Sequence, residues 1–289
     1  MTQDSTLEKV KKLRELTGVG FKDCKAAIDE NNGNIEKSIE YLRKKGIAKA
    51  SKKMERIASD GLISICENEN SFSIIEVNSE TDFVAKNEEF INFVEEISYL
   101  SLLKSGKMED TLNSKMKNDN LVKDNLVALI SKIGEKITIR RSEFISSENS
   151  LNFFYIHSPI KKKLGKIGVL LSFENINNNE KISEFGKQLS MHIAATSPLA
   201  IDKNGLDVNL LEKEKEIITE ELKANGKDKK IIEKISIGKL NKFISDNTLL
   251  NQEWIMEPKK KVKDILKEIA GKDKLIIKKF IRFKVGEGI

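Results

Sequence analysis

The sequence predicts an α+β protein of more than one domain, and three observations carry that prediction. Apolar residues recur at helical spacing over residues 7–46, the period changes to short β-rich runs after Gly61, and an order of strand, strand, helix returns beyond residue 150. At 289 residues, 39% of them hydrophobic, the chain can bury cores for two or three domains.

Val10, Leu13 and Leu16 form the first helical stripe, which Gly18 ends. Phe21, Cys24, Ala27 and Ile28 form the second, stopped at Asn31-Asn32-Gly33, and Asn34 caps a third carrying Ile35, Ser38, Ile39 and Leu42, closed by Gly46. Residues 1–46 therefore read as a three-helix module. A core of about forty residues is marginal alone, which suits an appended binding module. The following stretch, GIAKASKKMERIA, places Lys49, Lys52, Lys53 and Arg56 among alanines and reads as a basic helical linker over 47–59, a solvated face rather than a binding patch.

LISIC and SFSIIEV then read as a β-hairpin across the polar turn 67–71. After EVNSETDFVAKN, at 76–87, Phe90, Phe93, Val94, Ile97 and Leu100 recur at 3–4 spacing and predict an amphipathic helix laid on that sheet. A polar stretch follows to Asp119, then a helix over 121–133 ended by Gly134, and KITIRRSEFI as a third strand. Together these make a first subdomain, 60–145. LNFFYIH and GKIGVLLSFE read as strands and FGKQLSMHIAA as the helix after them, opening a second, related subdomain over 146–289. Into it is inserted an antiparallel helical hairpin, 208–246. One arm carries Leu211, Ile218 and Leu222, the other Ile231, Ile232, Ile235, Leu240, Phe243 and Ile244, and the turn 225–228 joins them. Trp254, a helix over 262–269 and the strand KKFIRFKV complete the chain.

Charge and motif content exclude several classes of function. Fifty-one basic against 45 acidic residues leave only +6, interspersed along the chain, so the field that would gather polyanions is weak and dedicated nucleic-acid binding is not expected. No run approaches the roughly twenty apolar residues of a membrane span, and MTQDSTLEKVKKLRE lacks the apolar core of a signal peptide; a cytoplasmic protein is expected. Cys24 and Cys66 form no CxxC pair and read as buried thiols; His157 and His192 form no HExxH pair, so neither disulfide nor metal is expected. GVGFKD, at 18–23, lacks the third glycine of a dinucleotide loop and lies between helices, and no GxxxxGKS or GxxxxGKT phosphate loop and no GxSxG elbow occurs. No cofactor and no catalytic residue is expected: the chain acts by binding. His192, beside Met191, Ile193 and Ala194, reads as a core or interface histidine.

Phe83 is the residue the pattern leaves open. Seven positions before Phe90, it either extends the apolar stripe backwards into the core or, if Asn87, Glu88 and Glu89 cap the helix, precedes it on a short turn as an exposed anchor. Two segments then become recognisable. LRELTGVGFKDCKAAI at 13–28 and EVNSETDFVAK at 76–86 resemble the signature segments of the translation elongation factor Ts family, nucleotide exchange factors for the GTPase EF-Tu. The resemblance continues through GIAKASKK, KIGEKITIRR, MHIAATSP, Met256-Glu257-Pro258 and FIRFKVGEGI, in the family's order. Ile28 stands where leucine is usual, residues 157–164 lengthen a hairpin of the second subdomain, and the chain stops at GEGI where some members carry a helical tail.

The resemblance implies that the first module is similar to ubiquitin-associated domains. It also implies that Thr81, Asp82, Phe83 and Val84 enter the GTPase domain of EF-Tu and dislodge its Mg²⁺, with Phe83 as the wedge. Val19, Gly20 and Phe21 match the part that docks on the same domain, packing within their own bundle being the alternative for Phe21. Met191 and His192 match the segment that reaches a distal domain of EF-Tu. The hairpin tip is left to contact either the partner or a second copy, in a homodimer or 2:2 complex. The competing expectation is a ribosome- or RNA-associated protein, whose affinity would fall steeply with salt and would not need Phe83.

Overall fold

The computed structural model describes residues 5–17, 19–69, 71–174, 179–224, 229–271 and 274–289. In chain order the helices and strands are α1 (Thr6–Thr17), α2 (Phe21–Glu30), α3 (Ile35–Lys53), β1 (Asp60–Asn68), β2 (Ser71–Ser79), α4 (Asp82–Ala85), α5 (Glu88–Leu103), α6 (Met108–Leu112), α7 (Val122–Ile133), β3 (Ile137–Ser146), β4 (Ser150–His157), β5 (Leu164–Gly165), β6 (Ile167–Glu174), α8 (Glu180–Thr196), α9 (Val208–Ala224), α10 (Lys229–Asn247), β7 (Glu253–Trp254), β8 (Glu257–Lys261), α11 (Val262–Ala270) and β9 (Ile277–Lys284). This is the mixed helical and antiparallel architecture that the sequence predicts. Gly18 and the turn 225–228, read above as a helix end and a hairpin tip, lie outside the described residues.

Two compact units result. The first comprises Met1–Phe144, Ser158–Lys166 and Phe283–Ile289; the second comprises Ile145–His157 and Ile167–Arg282. In the first, β1 and β2 pair antiparallel from Asp60↔Ser79 to Asn68↔Ser71 within a sheet of order β3-β2-β1-β5. Leu62, Ile75 and Val77 of that sheet meet Phe90, Val94 and Ile97 of α5, the stripe at 3–4 spacing, with Val122 and Ile130 of α7 completing the core. Asn87 begins α5 as its spacing predicts, its side chain accepting from the N–H groups of Glu89 and Phe90, and Gly134 ends α7 at φ 88°.

In the second unit β4 and β6 pair antiparallel within the sheet β4-β6-β9, and α8 lies against it. Gly186 permits the close approach: a β-carbon there would stand 2.5 Å from the Phe153 ring. Phe153, Phe173, Phe185 and Trp254 form a continuous aromatic row with centroids 5.7–6.0 Å apart. Beyond it α9 and α10 run antiparallel. Leu211 near the start of one clusters with Ile244 near the end of the other, while Ile218 and Leu222 meet Ile232.

Three features differ from the sequence expectation. The third helix does not stop at Gly46; α3 continues to Lys53 and absorbs most of the basic linker, because Ala50 packs into the core of the first unit and that burial carries the helix through the glycine. Residues 158–166 do form a long connection between the paired strands β4 and β6, but they also carry β5, which pairs with β1, Ile63↔Gly165 and Ser64↔Leu164, at the edge of the first sheet. The chain's last residues, Phe283–Ile289, likewise belong to the first unit.

Glu76, on β2, explains the last of these. Its side chain has no exposed surface, yet its carboxylate meets Arg141 Nε at 2.6 Å, Arg140 at 3.1 Å, the Asn78 amide at 3.0 Å and the backbone N–H of Gly286 at 2.9 Å. Gly286 reaches it at φ +72°, where a β-carbon would collide with the Ser59 carbonyl. Arg140 donates onward to the Glu287 carbonyl, and Arg141 covers the Phe283 ring at 4.1 Å. Burial alone would push the Glu76 pKa up; the Gly286 N–H, the Asn78 amide and Arg141 together outweigh it and hold the carboxyl below the usual range. Its folded pKa being depressed, its contribution to stability is complete above the ordinary glutamate pKa of about 4.3 and is lost as pH falls through that value towards the folded one. Glu76→Gln, which keeps the shape and removes the charge, is expected to lower unfolding stability at pH 7 by about 3 kcal/mol in urea titrations, because two guanidinium groups then face an uncharged amide.

Candidate partner-binding site

The turn after β2 is built from polar groups that each have a defined partner. Ser79 Oγ donates to the Thr81 carbonyl at 2.9 Å. Glu80 accepts the backbone N–H of Lys136 at 2.6 Å and pairs with Arg56 at 3.3 Å. Thr81 donates its N–H and its hydroxyl to the two oxygens of Glu135, at 3.0 and 2.8 Å. Glu135 and Lys136 can face this turn because Gly134 has just reversed the chain in the left-handed conformation.

On this base stands α4, a single turn of four residues. Val84 and Ala85 are buried in the core of the first unit, whereas Phe83 is 79% exposed. Asp82 pairs with Lys86 at 2.7 Å, and that hydrogen bond holds its carboxyl below the usual range. The two readings left open for Phe83 are therefore decided by position: it lies on α4, and the extended backbone of Asn87 (φ −73°, ψ 129°) breaks the helix before α5, so its ring leaves the stripe and faces water. Val19 is half-buried against the three-helix core, Gly20 is the exposed N-cap of α2, and Phe21 is 42% exposed at that helix's first residue. The sequence reading missed a cavity of about 340 Å³ bounded by Leu16, Val19, Ile39 and α7 residues Val127 and Ser131, with Arg43 and Asp124 bridging it at 2.7 Å. Among the described residues no three His, Cys, Asp or Glu side chains gather as a metal-binding group.

Met191 and His192, in the second unit, part company. Met191 is 38% exposed; His192 has no exposed surface and stacks on Trp254 with centroids 5.2 Å apart. Its Nε2 lies 3.1 Å from Gln252 Oε1, which also accepts from Thr196, while Nδ1 accepts the N–H of Ile255 at 3.4 Å. Those partners select the neutral Nε2–H tautomer. Ile255 and Met256, which the sequence reading did not single out as contacts, follow the buried Trp254 in the chain and are exposed. Burial pushes the His192 pKa down, against the Gln252 hydrogen bond that raises it. A base with a depressed folded pKa is fully stabilising above its unfolded value of about 6.5, and that contribution falls away as pH drops below it, because the unfolded chain takes up the proton first. Wild-type stability is thus expected to decline between pH 7.5 and 5.5 in urea titrations, and His192→Phe, which keeps a ring on Trp254, to flatten that slope.

The family model described as Elongation factor TS matches residues 80–287. The elongation factor Ts of Bartonella quintana is 42% identical over 292 residues, covering 98% of this chain and 94% of that protein. That of Rickettsia typhi is 41% identical, covering 97% and 91%, and that of Maricaulis maris 37%, with the same coverage. A family model that takes in the turn at Glu80–Phe83 and nearly all of the chain beyond it, with identity near two-fifths along nearly the whole length, establishes that the chain belongs to the elongation factor Ts family.

Proposed function

We propose that the chain is a guanine nucleotide exchange factor of translation elongation. It binds EF-Tu in its GDP form, displaces the Mg²⁺ there, and promotes GDP release so that GTP can bind. The single observation that carries this reading is Phe83: a large ring left 79% exposed on a turn in which Ser79, Glu80 and Thr81 are each hydrogen-bonded. Leaving such a ring in water forgoes about 1.5–3 kcal/mol of burial, which a partner pocket can recover. Rigid aromatic anchors of this kind contribute about 2 kcal/mol or more to an interface.

The mechanism needs no catalytic residue. A nucleotide and its Mg²⁺ are held on a GTPase by many charge-assisted contacts to the phosphates, and a small displacement of those groups weakens several together. If Phe83 fits only the displaced arrangement, binding of the chain and of GDP oppose each other by one shared coupling free energy, each ~1.4 kcal/mol of which is tenfold in affinity. Asp82 and Thr81 supply polar contacts beside the wedge, and Val84 anchors it from below. Val19, Gly20 and Phe21 make a second contact on the GTPase, and Met191 a third on another domain, with His192 ordering the backbone behind it. The site of action is the cytoplasm, where translation runs. The rival RNA-binding reading loses support from the basic stretch: Lys53 donates to the Gly134 carbonyl and Arg56 pairs with Glu80, so both serve the turn that carries Phe83.

The test is release of fluorescent GDP from EF-Tu on adding catalytic amounts of the chain. Wild type is expected to accelerate release; Phe83→Ala is expected to reduce the stimulation about 30-fold, the equivalent of ~2 kcal/mol, with an unchanged melting temperature because little of the ring is buried. No acceleration by the wild type refutes the function, and full activity of the variant refutes the wedge.

A further inference from the structure

We propose that Glu135 is a positioning residue that holds Phe83 at its working angle; this rests on the reading of Phe83 as the wedge. Thr81 is the N-cap of α4, with the extended backbone of a cap (φ −127°, ψ 159°), yet its side chain makes no capping hydrogen bond. A threonine there ordinarily accepts from an N–H in the first turn. Here its hydroxyl is turned away and donated to Glu135 Oε1 at 2.8 Å, while the backbone N–H goes to Oε2 at 3.0 Å. A four-residue helix cannot nucleate itself. The turn is therefore started from outside, by a carboxylate 54 positions further along the chain. Charge-assisted bonds of this kind are about twice as strong as neutral ones, and two on one residue fix direction as well as distance.

Glu135 can do this because it is itself held on both sides. Before it, Gly134 closes α7 at φ 88°, and its carbonyl accepts from Lys53 of α3. After it, the Lys136 N–H goes to Glu80, and Lys136 Nζ donates to the carbonyls of Met54 and Arg56 at 2.7 and 2.8 Å. The end of α3, the 134–136 corner and the 79–81 turn thus form one hydrogen-bonded brace, and Phe83 projects two residues beyond it. The basic stretch that reads in sequence as a solvated face contributes a brace of this kind.

Two measurements on the full chain test the assignment. Amide hydrogen exchange of Glu135→Ala is expected to accelerate at residues 80–86 by tenfold or so while the α5 and second-unit amides keep their protection; unchanged protection at 80–86 overturns the proposal. In the fluorescent-GDP release assay, Glu135→Ala is expected to slow stimulated release about tenfold in the wild-type background and to add no further loss to Phe83→Ala. Equal losses in both backgrounds indicate a general structural role and overturn it. Should Glu135→Ala not fold, Thr81→Val removes the hydroxyl donor alone and is expected to show the same dependence on Phe83, more weakly. Glu135→Gln, able to accept the N–H and donate to the hydroxyl, is expected to recover part of the rate. If Phe83→Ala alone leaves release unchanged, the wedge reading fails, whereas the amide exchange result still reports whether Glu135 holds the turn.

Discussion

A carboxylate with no exposed surface is the constraint around which the first unit closes. Glu76 could not remain charged inside the sheet without Arg140, Arg141, Asn78 and the Gly286 N–H, so β2, β3 and the chain's last residues have to meet at one place. The conformation of Gly286 and the cover of Arg141 over Phe283 follow from that meeting. Hydrophobic burial against α5 provides most of the driving force for this unit, but it is not directional. The ion cluster supplies the register.

From Glu76 the chain runs seven residues to Phe83, and along that path the polar side chains are engaged one after another. Asn78 donates to Glu76 and to the Asp60 carbonyl, Ser79 to Thr81, and Glu80 and Thr81 are tied to the corner after α7. An exposed aromatic ring on a loose loop would lose conformational entropy on binding; one on a pinned turn has already lost it in folding. The structure thus concentrates its order where a partner would press. Val84 and Ala85 complete the arrangement by burying the other side of the same short turn.

The second unit uses the opposite device. There a titratable ring is hidden beneath exposed apolar residues: His192 sits inside against Trp254 and accepts the Ile255 N–H, while Ile255 and Met191 reach the surface. In the first unit the residue that a motif draws attention to, Phe83, is supported by a half-buried polar neighbour, Glu135. The neighbour is what a one-dimensional reading overlooks.

Sequence alone determined whatever depends on neighbours within a few positions: the stripes of α5 and α7, the Asn87 cap, the stop at Gly134, the hairpin of β1 and β2, and the segments that mark the family. These arise from helical and strand periodicity and from the conformations that asparagine and glycine favour, all of which are local. Only the tertiary structure decided that α3 runs on past Gly46, that residues 164–165 join the first sheet, that Phe83 faces water while His192 does not, and that Glu135 starts the turn at Thr81. Each of those outcomes was set by a contact between residues tens of positions apart or by the burial of one side of a helix, and a linear pattern carries no record of which distant group will be there.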